Sequence, residues 1–78
     1  MKIGMLWQDE DAIAGLPQKV QRAVDYYLKK YDRAPNRCFV HPSQLPDEAH
    51  RLIGPVELCG NPSVRPNHFW IGFQSGED

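Results

Sequence analysis

The sequence predicts an α+β fold: one main amphipathic helix, about residues 17–32, packed on a small, mostly antiparallel sheet of three strands, with a candidate fourth at the N-terminus. Three observations carry this. Apolar residues recur with a period of 3.6 once, between Pro17 and Asp32. After Pro35 the period changes to two. Six of the seven prolines lie between Pro35 and Pro66, which cuts the second half into short pieces and excludes an all-helical chain.

The helix is read from Val20, Ala23, Val24, Tyr27, Leu28 and Tyr31, which fall on one stripe that Leu16 extends. Gln18, Lys19, Gln21, Arg22, Asp25, Lys29 and Lys30 take the opposite side. Pro17 suits the first helical position, where a missing N–H costs nothing. Lys29 and Lys30 in the last turn oppose the negative end of the helix dipole. Asp32 accepts a left-handed cap, and Ala34 is pushed out of helical geometry by Pro35.

Three strands are expected next. Arg37–His41 is stopped by Pro42, Val56–Cys59 by Gly60-Asn61-Pro62, and Asn67–Phe73 is rich in aromatic and β-branched residues. The last two are expected to pair antiparallel through the loop between them, because a parallel crossover needs a dozen residues or more. Ile3–Trp7 supplies the fourth strand or a cover for the sheet, a short second helix is expected near 46–53, and 74–78 reads as a frayed polar tail. The 78 residues make a single small domain, 1–78, near the lower size limit for a self-sufficient core.

Composition excludes several function classes. A formal charge of −1 gives no overall field toward nucleic acid or an anionic membrane. No apolar run approaches the roughly 20 residues of a membrane span. The N-terminal apolar residues meet Asp9-Glu10-Asp11 before any cleavage signal, so the expected address is cytoplasmic. Cys38 and Cys59 are too few for a disulfide framework and read as free thiols.

Strand alternation sorts the side chains into two faces. Cys38, Val40, Val56, Leu58, Phe69, Ile71 and Phe73 form the set expected to pack on Val20, Ala23, Tyr27 and Tyr31. Phe39, His41, Glu57, Cys59, His68 and Trp70 form the other. Two large aromatics on an uncovered face make an apolar patch, and such patches mostly mark interfaces. The expected function is therefore non-catalytic binding of another protein, or of a second copy, through Phe39, His41, Glu57, His68 and Trp70. Glu57 is the expected hydrogen-bond partner of His68.

Two alternatives stand beside this reading. Lys29, Lys30, Arg33 and Arg37 cluster in sequence at the helix end, and with exposed aromatics they suit a single-stranded nucleic-acid-binding accessory protein. His41, Cys59 and His68 are ligand types that zinc takes, although neither Cys38-x2-His41 nor Cys59-x8-His68 has a standard spacing. No cofactor is expected. Ser43, Ser63 and Ser75 lack a glycine-flanked elbow, no glycine-rich phosphate loop occurs, and a catalytic role is not expected.

Overall fold

A computed structural model describes residues 3–47 and 51–74. The elements run β1 (Ile3–Gln8), α1 (Leu16–Tyr31), β2 (Arg37–Val40), a single 3-10 turn (Pro42–Gln44), β3 (Leu52–Ile53), β4 (Val56–Gly60) and β5 (His68–Phe73). The fold is α+β, with one helix and a five-stranded mixed sheet in the order β1-β5-β2-β4-β3.

The helix forms where the sequence pattern places it. Pro17 stands in its first turn, and Asp32 closes it in the left-handed conformation (φ 54°) with its N–H donating to Leu28 O at 2.8 Å. Val20, Ala23, Val24 and Tyr27 are buried, whereas Leu28 and Tyr31, at the end of the same stripe, are exposed. The chain entering the helix is tied down by Asp11, whose carboxylate accepts the N–H groups of Ile13 and Ala14. Arg22 bridges Asp9 and Asp11 at 3.1 and 3.3 Å. The Ile13 and Ala14 N–H groups, followed by the Arg22 guanidinium, hold the Asp11 carboxyl below its ordinary range.

The sheet corrects two expectations and bears out the N-terminal strand. First, Val56–Gly60 does not pair with His68–Phe73. β2 lies between them, parallel to β4 (Arg37 opposite Glu57, Phe39 opposite Cys59) and antiparallel to β5 (Cys38 opposite Ile71, Phe39 opposite Trp70). The parallel crossover is the 41–55 connection, which is long enough to make it. The reason is burial: Cys38 and Val40 are fully buried, and a strand that apolar takes the centre of the sheet.

β1 is that strand, pairing antiparallel with β5 from Ile3 opposite Phe73 to Gln8 opposite His68. It extends the sheet at one edge and covers neither face. Second, the expected helix near 46–53 gives way to β3. Leu52 and Ile53 pair with Glu57 and Val56, Pro46, Asp47 and Arg51 lie outside regular structure, and the remaining positions fall outside the described residues. The hairpin turns on Gly54-Pro55. Gly54 has φ +57°, and because proline cannot take positive φ, the pair fits a II′ turn. Of the expected tail, Gln74 is fixed: its N–H donates to Asn36 Oδ1 at 2.7 Å, and its carbonyl accepts from Asn36 Nδ2 at 2.7 Å. The rest of that tail lies outside the described residues.

The core is the sheet face under α1. Met5, Ile71, Cys38 and Leu58 form one row across four strands, and all are buried. Phe69, Val40 and Val56 fill the space beside the row. Trp7 packs at its margin against Tyr26, with ring centroids 5.2 Å apart. Phe73 falls at the sheet end, half-buried, with the Arg33 guanidinium 3.5 Å above its ring. Leu58→Ala should cost about 3 kcal/mol, as expected for a buried leucine truncated in a close-packed core. Leu28→Ala, on the exposed end of the helix stripe, should stay within about 0.5 kcal/mol. Urea unfolding of both variants checks the contrast.

Candidate functional site

The face turned away from α1 is built by the same alternation that builds the core. Its central row is Leu6, Trp70, Phe39 and Cys59, each opposite the next across β1, β5, β2 and β4. A second row runs Gly4, Gly72, Arg37, Glu57 and Leu52. Leu6 is 58% exposed, Trp70 37% and Leu52 70%, while Phe39 and Cys59 are half-buried. No element among the described residues covers these rows.

Gly4 explains how the indole sits. A Cβ at position 4 would lie 2.6 Å from the Trp70 ring, so the indole leans over the bare backbone of β1. Gly72, directly opposite Gly4, keeps that corner of the face low. Beyond Trp70 an open pocket of about 400 Å³ is lined by Leu6, Ser63, Val64, Arg65, His68 and Trp70. Its wall is the 61–67 connection, which is firmly held. Ser63 N–H donates to Asn61 Oδ1 at 2.8 Å, and Val64 N–H to Asn61 O at 3.0 Å. Asn67, at φ +65°, exchanges two bonds with the Gln44 side chain, at 2.7 and 3.0 Å.

The expected interaction residues are thus distributed unevenly. Trp70 and Phe39 share the open face, as the alternation requires, and the β2–β5 pairing makes them neighbours. His41 leaves it: β2 ends at Val40, and His41 caps the 3-10 turn, its Nδ1 accepting the Ser43 N–H at 3.1 Å and lying 2.7 Å from Ser43 Oγ. Accepting at Nδ1 places the neutral ring's proton on Nε2. His68 has the opposite arrangement, because its Nδ1 meets the Pro66 carbonyl at 2.9 Å and must donate there.

Glu57 is not the partner of His68. With β2 interposed, Glu57 faces Arg37, and the pair is closed at 2.8 Å. This ion pair also engages one of the four basic residues read as a nucleic-acid contact. Arg33 is stacked on Phe73, and Lys30 Nζ lies 5.4 Å from the Tyr31 ring centroid. Of the four, Arg37 stands in the row beside the exposed aromatics, where it is paired with Glu57. Leu6, Ser63, Val64 and Arg65 are not among the interaction residues that the sequence predicts. The signal for the last three was the pair of turn sequences Asn61-Pro62-Ser63 and Arg65-Pro66-Asn67, which fold the connection back onto β5.

The cysteines occupy opposite faces, Cys38 in the core and Cys59 on the open side, so they do not approach as a pair. Among the described residues, no three histidine, cysteine or acidic side chains converge where a metal ion could be held, and His41, Cys59 and His68 are not brought together. Burial, and then the Cys59 sulfur, push the Cys38 thiol up to about 12. Burial followed by the Glu57 charge also raises the Cys59 thiol.

Both cysteines are therefore thiols rather than thiolates near neutral pH, and Cys59 alone is reachable. Iodoacetamide at pH 8 should modify Cys59 slowly and Cys38 only after unfolding, as read by mass spectrometry. Equal rates in the folded protein would contradict the assignment of faces. No helix among the described residues is long and apolar enough to cross a membrane. No protein-family model matches this chain, and no curated protein or solved structure is significantly similar to it.

Proposed function

We propose that this chain is a non-catalytic protein-binding module whose contact surface is the open sheet face centred on Trp70 and Leu6. The observation that carries the reading is the row Leu6–Trp70–Phe39–Cys59, an apolar band across four strands with Leu6 and Trp70 exposed and no covering element among the described residues. A contiguous apolar patch of this kind costs solubility unless a partner covers it. Tryptophan is the side chain most often found at the energetic centre of an interface, where a large rigid ring is desolvated with little entropy loss. A chain of this size also has more to gain from association than a larger one, since alone it buries only about 60% of its unfolded surface.

The polar neighbours fit the rim of such a contact. Arg37 and Glu57 neutralise one another beside the band, so burial of the band strands no isolated charge there. The partner is another protein or a second copy of the chain, and mass in solution separates the two. With a second copy, the mass rises toward twice the 9.0 kDa of the chain as concentration increases. With a different protein, immobilised wild type retains a species that the Trp70→Lys protein does not, while Leu28→Ala on the helix retains it unchanged. A chain that stays monomeric, and whose retained species are the same with and without Trp70, contradicts the reading.

A further inference from the structure

We infer that the edge of this face binds an extended, acidic segment of the partner, added as a sixth strand along β1, with its carboxylate seated in the Arg65–His68 pocket. The inference rests on the protein-binding reading above and assigns that partner its chemistry.

β1 has one neighbour in the sheet, β5, so its outer row of N–H and C=O groups is without a strand partner among the described residues. Edge strands are normally protected by charge, proline or brevity. The opposite edge, β3, is two residues long, with Pro55 in its turn. β1 is six residues long, Ile-Gly-Met-Leu-Trp-Gln, with no charge and no proline. An unprotected strand of this length is a template for an added strand, with main-chain bonds giving affinity and pockets for alternate side chains giving specificity.

The pocket beside β1 supplies that specificity. Leu6 belongs to both, being a β1 residue and a pocket wall. The pocket holds two nitrogen bases and no acid among its lining residues. Each of the other four arginines is engaged: Arg22 with Asp9 and Asp11, Arg33 with Phe73, Arg37 with Glu57, and Arg51 with the Pro46 carbonyl. Arg65 is exposed and makes no side-chain contact of these kinds among the described residues. His68 uses Nδ1 on Pro66, so Nε2 is the ring atom left for a ligand among the described residues. The wall carrying Arg65 is held by the Asn61 and Asn67 bonds before anything binds, which lowers the ordering cost of association.

A single-stranded nucleic acid also carries anions, but it cannot use the main-chain edge of β1. One unengaged arginine in a chain of net charge −1 is few for the several phosphates such a ligand presents. A peptide strand uses both the edge and the pocket.

The test uses the full chain, isotope-labelled, and two blocked hexapeptides of alternating threonine and valine, one carrying a central glutamate and its twin a lysine. The glutamate peptide should shift the amide resonances of residues 4–8 and 63–68, and should bind about tenfold more tightly than the lysine peptide, since like charges are penalised across a contact. Arg65→Glu, an exposed position whose change leaves the core intact, should reverse that preference. Equal affinity for the two peptides, shifts confined to β3, β4 or the helix, or no shift with either peptide overturns the inference. A twelve-residue oligothymidylate that shifts the same resonances more tightly than the glutamate peptide overturns it in favour of nucleic acid. Loss of partner retention by Trp70→Lys while neither peptide moves β1 removes this inference and leaves the wider face standing. Identical retention with and without Trp70 removes the reading beneath both.

Discussion

One helix can cover one face of a sheet, and the described residues form one long helix and a five-stranded sheet. Everything else in the molecule follows from how that mismatch is resolved. The covered face collects Met5, Ile71, Cys38 and Leu58 into a single buried row under Val20, Ala23 and Tyr27. Because side chains alternate strictly along a strand, the residues between them are forced onto the uncovered side. Those residues include Leu6, Phe39 and Trp70, which make the uncovered side apolar along one row. The open face is thus a direct consequence of the core, and neither can be altered by a register shift without exchanging the two.

Electrostatics sharpens the picture locally rather than globally. The near-neutral chain has no overall field, and most of its arginines are committed to contacts that staple loops or cap ring faces. Each of these pairs has at least one partly exposed member, and their contribution to stability is small. They leave Arg65 as the one arginine without a side-chain partner among the described residues, beside the Leu6–Trp70 pocket. The rigid 61–67 wall, with its two asparagine-centred turns, fixes where that charge is presented.

Much of the local structure was legible in the sequence. The helix, its proline start and its left-handed Asp32 cap follow from side-chain spacing and backbone preference. So does the sorting of Cys38, Val40, Val56, Leu58, Phe69 and Ile71 to the core, because period-two patterns state facing directly. Neighbour order was not legible. Alternation says which side of a sheet a residue occupies, and nothing in Val56–Cys59 or His68–Phe73 says that Arg37–Val40 comes between them. The expected Glu57–His68 pair failed for that reason alone. The helix expected near 46–53 failed differently: a two-residue strand is too short to show a period, and the Ile53-Gly54-Pro55-Val56 turn was the signal that outweighed it. Of the candidate site, the shared face of Phe39 and Trp70 was visible, but their adjacency, which the β2–β5 pairing makes, was not. His41 was misplaced because Pro42 turns the chain one residue earlier than the strand pattern implied. Leu6 and the pocket wall depend on β1 joining β5, a long-range pairing that no local pattern encodes.

The central claim is that the face carrying Trp70 is bare in the isolated chain and covered when the chain is at work. Acrylamide quenching of Trp70 fluorescence, in a Trp7→Phe background so that a single indole reports, tests this most directly. The account predicts strong quenching in dilute protein and marked shielding once the retained partner, or a high concentration of the chain itself, is present. Shielding already complete in dilute monomer, or quenching unchanged by the bound partner, would contradict it.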